Sequence, residues 1–312
     1  MSSITKVILN HVLRGLLILI GVTMLSFLLG QLAPGDAAYA ALGSDAADAP
    51  TEEELEAVRE ELGLNDPLHQ QYTKWFKSVL KGNFGTSFMT SRSIKEELVR
   101  RIPVTLKLSG FAFVLLLFSL PLGFMLALHK DSIFDRLFLW FSSIFSAIPG
   151  FLVAIALMLL FAQTLRLLPT SGMNGFKSLI LPAVSISLSS TMMITRMLRA
   201  DLLERFNSPY FEMARSKGFS FRFATFKHLL PHSCSAILPF WSNYLLGILG
   251  GSTVAESIFA LPGMGEWILK SIHSHDYPAI QAYVLVMGLF CWVIFIVTDI
   301  IQLALQPQLR RS

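Results

Sequence analysis

Six stretches of this chain lack Asp, Glu, Lys and Arg over lengths that approach or exceed the roughly 20 residues a helix needs to cross a bilayer core. They are Gly15–Gly35, Leu108–Leu128, Leu137–Leu165, Ser178–Thr195, Leu229–Ala255 and Tyr277–Thr298, the last continuing past Asp299 to about Leu305. Inside lipid every backbone N–H and C=O must find its partner within the segment, so such runs fold as helices. The fourth run is short and the third long, a mismatch that tilt absorbs. The expected fold class is therefore an all-α, polytopic membrane protein with six transmembrane helices. Composition agrees, with 53% hydrophobic and 15% charged residues, where a soluble domain carries about a quarter charged. The net charge of +4 is dispersed between apolar blocks, which argues against nucleic acid as a partner. Cys234 and Cys291 lie singly in apolar segments, where a disulfide framework or metal site has no spacing to support it.

Lys6 and Arg14 precede the first run, and Ala38-Tyr39-Ala40 resembles a cleavage site. The run exceeds the length of a signal-peptide core, and Pro34-Gly35-Asp36 separates it from that site, so it reads as a retained anchor. With an even number of spans both termini share a side, and the basic ends (Lys6, Arg14, Arg310, Arg311) place that side in the cytosol. Three regions follow: an N-terminal span at 1–36, an extracytoplasmic insert at 37–105, and a five-helix core at 106–312 containing a cytosolic loop at 197–231. Within the insert, Thr51 and Glu54 have capping-box spacing ahead of a Leu55, Val58, Leu62 stripe that ends at Gly63. A second helix is expected behind Asp66-Pro67, with Leu68, Tyr72, Trp75, Phe76 and Val79 on one side and Gly82 after it.

The cytosolic loop carries seven Lys or Arg between Arg196 and Lys227 against Asp201, Glu204 and Glu212. Pro209 can open a helix, Glu212 falls in its first turn, and Gly218 can close it with a left-handed residue. Ala214 is small enough for a partner to approach closely. Pattern alone leaves two readings open: a rigid lever offered to a soluble motor, or a plain connector obeying the positive-inside rule.

Further along these residues the chain resembles a family. Glu212-Met213-Ala214, then Gly218 and Leu230-Pro231, is similar to the EAA-x3-G-x9-I-x-L-P loop of bacterial ABC importer permeases, with Met213 and His228 departing from it. Tyr210-Phe211-x-x-Ala214-Arg215-x-Lys217-Gly218 resembles the dipeptide/oligopeptide/nickel branch. So do Pro34-Gly35-Asp36, Leu62 to Pro67 ahead of Gln71-Tyr72, Phe84-Gly85-Thr86-Ser87, Pro103 to Leu106, Glu256 to Gly265, and Asp276 to Gln281, in that order over residues 6 to 310. The resemblance implies a pore-forming subunit of the inner membrane that works with a second permease, two ATP-binding subunits and an external solute-binding protein. Glu212, Met213, Ala214, Arg215, Lys217, Gly218, Leu230 and Pro231 would then couple the spans to the ATPase. ATP and Mg would be used by those partners, since the chain has no G-x4-G-K-S/T of its own and Gly82 to Ser87 lacks the lysine. Peptides, nickel and metal chelates are the expected solutes.

Other residues invite roles. Arg14 and Asp299 are the charges nearest span interiors and form a candidate ion pair. Glu256 and Glu266 flank Pro262-Gly263-Met264-Gly265, a turn read either as an outer gate or as a rigid support, its glycines suiting positive φ. His273, His275 and Asp276 are read as loop residues rather than metal ligands. Pro121 and Pro149-Gly150 lie inside spans and are expected to kink them. A secondary transporter is the alternative function, but the runs hold no interior acid other than Asp299. An intramembrane enzyme lacks any visible dyad, so no catalytic residue is assigned.

Overall fold

The computed structural model of the chain describes residues 3–32, 37–42 and 50–305. In order its helices are α1 (Ser3–Leu32), α2 (Ala37–Leu42), α3 (Glu52–Leu62), α4 (Leu68–Leu80), α5 (Ile94–Leu117), α6 (Ser119–Leu128), α7 (Ile133–Ala147), α8 (Gly150–Leu157), α9 (Ile180–Phe206), α10 (Pro209–Ser216), α11 (Phe221–Ala224), α12 (Leu230–Ile258), α13 (Met264–His273) and α14 (Tyr277–Leu305). Among the described residues the only β pairing is an isolated Thr86–Ser93 bridge, so the all-α expectation holds. Pro34-Gly35-Asp36, Arg310 and Arg311 lie outside the described residues, as do the side chains of Lys6, Arg14, Leu62 and His228.

Ile94–Leu128, Phe176–Phe206 and Tyr277–Gln302 are each long and apolar enough to cross a membrane. In α1 the apolar part is Gly15–Leu28. The 29 residues of α12 are diluted by Ser233, Ser235, Asn243, Gly247, Gly250 and Gly251. One expected span is different in kind: Leu137–Leu165 is broken into α7 and α8, which meet at 106°. Pro149 has no N–H to give the preceding turn, and Ile148 before it is extended at φ −87°, ψ 127°, the conformation a following proline imposes. Pro121 has a milder effect. Its missing N–H coincides with the break at Phe118 between α5 and α6, yet Ile94–Leu128 still counts as one span. The fourth span also outruns expectation, because α9 continues to Phe206 and carries Arg196 and Arg199 on a helix rather than in a loop.

The chain divides into two compact units. The first comprises Met1–Ile8, Thr105–Leu261 and Val293–Ser312. Its axis is α9, against which α6, α7, α8 and α12 pack. Gly123 of α6 sets the closest approach: a Cβ there would lie 3.0 Å from Leu198 Cβ and from the Thr195 carbonyl. Ile194, Leu198 and Leu202 of α9 are fully buried.

The second unit comprises Leu9–Val104 and Pro262–Trp292. Its core gathers Ile94, Leu98, Met264, Trp267, Ala279, Ala282 and Val286. The insert helices form as their signals dictate. Thr51 caps α3 with the full reciprocal box to Glu54, and Gly63 ends it at φ 67°. The α4 stripe meets α1 through aromatic contacts: the Tyr72 ring sits 5.6 Å from Phe27 edge to face, and the Tyr72 hydroxyl lies 3.0 Å from Thr23 Oγ1. The stretch Phe84 to Ser87 is tied down by Asp276, whose buried carboxylate accepts from Ser87 Oγ and from the Phe88 N–H.

Candidate functional site

The elbow between α9 and α12 is built by local rules. Ser208 accepts from the Phe211 N–H as N-cap, Pro209 is the first helical residue of α10, and Glu212 lies in the first turn. Gly218 follows at φ 87°, a left-handed position that glycine takes without strain. Three rings lock the elbow together, with Phe206, Phe211 and Phe221 mutually 5.1 to 5.6 Å apart. Arg215 donates to the Phe219 carbonyl at 3.0 Å and lies 5.9 Å from the Phe221 ring. α11 and a π-helical turn at Thr225–Leu229 follow, and Leu230 and Pro231 then begin α12.

The amphipathic split of α10 decides which residues a partner can touch. Phe211 and Ala214 are buried, whereas Tyr210 is 50% and Met213 58% exposed. Glu212, Arg215 and Lys217 are exposed as well. This corrects the reading of Ala214: its small size lets α10 approach its own chain, and Met213 occupies the outward position. Sequence pattern marked the helix but gave no sign of which small residue faced in.

A bidentate ion pair that the sequence reading missed braces the same side of the first unit. Arg199 donates Nε–H to Asp135 Oδ1 and an NH2 hydrogen to Asp135 Oδ2, each at 2.6 Å. Asp135 is itself the third residue of α7, with its N–H on the Ser132 cap and its second oxygen accepting from the Asp131 N–H at 3.0 Å. The pair anticipated within the spans, Arg14 with Asp299, falls on an Arg14 side chain outside the described residues.

Glu256 and Glu266, which flank the Pro262-to-Gly265 turn, are both engaged in polar contacts within the chain. Glu256 is fully buried and accepts from Thr105 Oγ1 at 2.7 Å. Glu266 pairs with Arg101 at 3.2 Å and with Lys270, while Arg101 also holds Glu97 at 2.6 Å and lies 5.7 Å from the Trp267 ring. The turn's left-handed residue is Ala260, at φ 48°. Gly263 has φ −96°, so the expectation that these glycines supply positive φ is not met, and Pro262 simply precedes the α13 start. Gly265 is buried in α13.

His273 shares a hydrogen bond with the Leu269 carbonyl at 2.7 Å, and His275 stacks edge-on to Tyr277 at 6.2 Å. With Asp276 turned inward to Ser87, the three do not converge, and among the described residues no group of three metal-ligating side chains exists.

One cleft opens in the first unit where α7 breaks into α8. Its volume is about 410 Å³, and Ser146, Gly150, Ala154, Ser185, Ser189 and Gly251 are among its walls.

Comparison with known proteins gives a consistent result. Residues 119–311 match the family profile described as binding-protein-dependent transport system inner membrane component, and residues 4–109 match the N-terminal profile of the same kind of membrane component. The chain is 33% identical to the glutathione transport system permease protein GsiC of Salmonella paratyphi A, over 97% of this chain and 99% of that protein. It is 32% identical to a putative peptide transport system permease protein of Brucella abortus, over 98% of this chain and 99% of the other. Among solved structures, the MetNI methionine ABC transporter in an inward facing conformation aligns with a TM-score of 0.54 at 19% identity, covering 67% of this chain and 96% of that one. At that identity the likeness is one of fold.

Proposed function

This chain belongs to the family of binding-protein-dependent transport inner-membrane components, and from that premise we propose its solute, its assembly and the way it is driven. It is a multi-pass permease subunit of an ABC importer. Of the solutes left open by sequence, short peptides, glutathione among them, are favoured over nickel or metal chelates, because the similar permeases at about a third identity are named for glutathione and peptide transport.

The subunit pairs with a second, similar permease, and two ATP-binding subunits dock on the cytosolic face, where both termini and the α10 elbow lie. A solute-binding protein delivers cargo outside. This chain does no chemistry on the solute, and ATP with its Mg stays with the partner subunits.

One observation carries the coupling role of α10. Phe211 and Ala214 root the helix in its own chain while Tyr210 and Met213 stand out from it. A helix so rooted transmits a push at its outer face to α9, which it follows after a short turn, and through α11 and the π-helical turn Thr225–Leu229 to α12. Closure of the ATP-binding pair would move those helices and open the passage outward, and hydrolysis would return it inward.

The test is reconstitution of the four-subunit complex in liposomes with the cognate binding protein. Uptake of trialanine or glutathione that requires ATP, and that fails when Met213→Asp puts a charge on the outward face while folding is kept, is the expected result. Peptide uptake without the ATP-binding subunits, or an unaffected Met213→Asp, would overturn the coupling role.

A further inference from the structure

Near the middle of α12, Asn243 begins a face on which Gly247, Gly250 and Val254 follow at helical spacing, all of them exposed. The amide of Asn243 has no hydrogen-bond partner among the described residues. Within a membrane span an amide turned to hydrocarbon is costly, so this face is expected to meet water or another polar group. The glycines point the same way. A Cβ built on Gly247, Gly250 or Gly251 would touch nothing within 4 Å, so no internal packing asks for glycine there, although each one weakens the helix. Two to three turns along, about 12 to 16 Å from Asn243 by helical rise, Gly251 and Val254 enter the wall of the 410 Å³ cleft beside Ser146, Gly150, Ser185 and Ser189.

We propose that this face of α12, with Asn243 as its specificity-determining residue, is where cargo touches the wall of the passage and has its peptide groups read. The inference rests on the peptide-importer reading above and deepens it. A carboxamide donates and accepts at once, which matches the N–H and C=O of a peptide bond. None of the cleft's lining residues is acidic, basic, histidine or cysteine, so the wall offers no ligand set to a bare divalent cation. Its volume falls in the range that encloses small ligands. Thin glycine walls leave room for side chains of any type, as a passage for varied peptides requires.

The test uses the full transporter with its partner permease, ATP-binding subunits and binding protein, in liposomes. With Cys234 and Cys291 changed to Ser, thiols introduced by Asn243→Cys and Gly250→Cys are expected to react with a charged thiosulfonate at least tenfold faster than Val297→Cys on an exposed apolar face, and turnover with trialanine is expected to slow them. Asn243→Asp is expected to raise uptake of Ala-Lys-Ala relative to Ala-Glu-Ala about tenfold, with Asn243→Gln near the parent ratio. Unreactive thiols, or an unchanged ratio in Asn243→Asp, would overturn the proposal while leaving the importer reading intact. Loss of co-purification with the second permease would make this face a helix interface and overturn it too. If the parent complex takes up no peptide with ATP, the importer reading's choice of solute fails first, and this inference with it.

Discussion

Arg199 on α9 grips Asp135 at the start of α7 through two parallel hydrogen bonds of 2.6 Å, a fork-to-carboxylate geometry at a site where the acid is 1% exposed. The pair joins the helix that leads into the α10 elbow to the helix that breaks at Pro149. It therefore ties α7 to α9 within the first unit. Breaking a buried pair by removing one partner typically costs about 3–5 kcal/mol, because the remaining charge stays buried without compensation. Asp135→Ala and Arg199→Ala are each expected to destabilise the purified complex on that scale, and Arg199→Lys to restore only part, since lysine cannot form the fork. Thermal unfolding of the two singles and the double variant checks this. A double no worse than either single is the expected outcome, and strictly additive losses would show that the pair does not act as a unit.

Asp276 holds Ser87 and the Phe88 N–H within the second unit. Replacing the carboxylate with a methyl leaves a buried hydroxyl and a backbone donor without their acceptor, which costs about 1–3 kcal/mol for each group. Asp276→Ala is expected to loosen the segment around Phe84 to Ser93 and expose it to proteolysis. Asp276→Asn, which keeps one acceptor, should give an intermediate rate. Equal cleavage of parent and Asp276→Ala would show that this contact does not hold the insert.

Gly218 at φ 87° closes α10, and a β-branched residue is strained in that region by at least about 1–2 kcal/mol. Gly218→Val is expected to misdirect the elbow, so that basal ATP hydrolysis by the assembled complex persists while peptide uptake falls at least tenfold. Gly218→Asn, which tolerates the left-handed conformation, should retain most uptake. Equal transport by both variants would remove the elbow's geometry from the mechanism.

The capping box of α3 makes a pH prediction. The Glu54 carboxyl is held below the ordinary glutamate range, chiefly by the Thr51 backbone N–H it accepts and then by the Thr51 hydroxyl. A group depressed in the folded state contributes stability above its unfolded value, and that contribution is lost as pH falls through the folded value. Amide exchange at Thr51 should accelerate as pH drops below the usual carboxylate range, after correction for intrinsic rates. In Glu54→Gln, which keeps the acceptor and removes the titration, that dependence should vanish.

Several elements were readable from the chain without its fold, because their causes lie within a few residues. Thr51 with Glu54 opened a helix and Gly63 closed it; Pro209 and Gly218 bracketed α10; Pro149 broke a span that was long enough to run straight. Each is a matter of one missing N–H, one left-handed residue or one side chain within reach of its own backbone. The apolar runs likewise specified helices, since lipid offers the backbone no other partner.

What depended on tertiary structure is what joins distant residues or chooses between faces. Nothing in the sequence connects Asp135 to Arg199 across 64 positions or Ser87 to Asp276 across 189, because neither pair shares an element and only the path of the chain brings them into reach. Proline predicted a kink but not the 106° between α7 and α8, which neighbouring packing determines. Ala214 reads the same whether it faces a partner or its own chain, and burial against the body of the fold turned it inward. The left-handed place in the turn after α12 went to Ala260 although glycines stood three and five residues away. Local chemistry names what a residue can do; the surroundings that use it are assembled only when the helices pack.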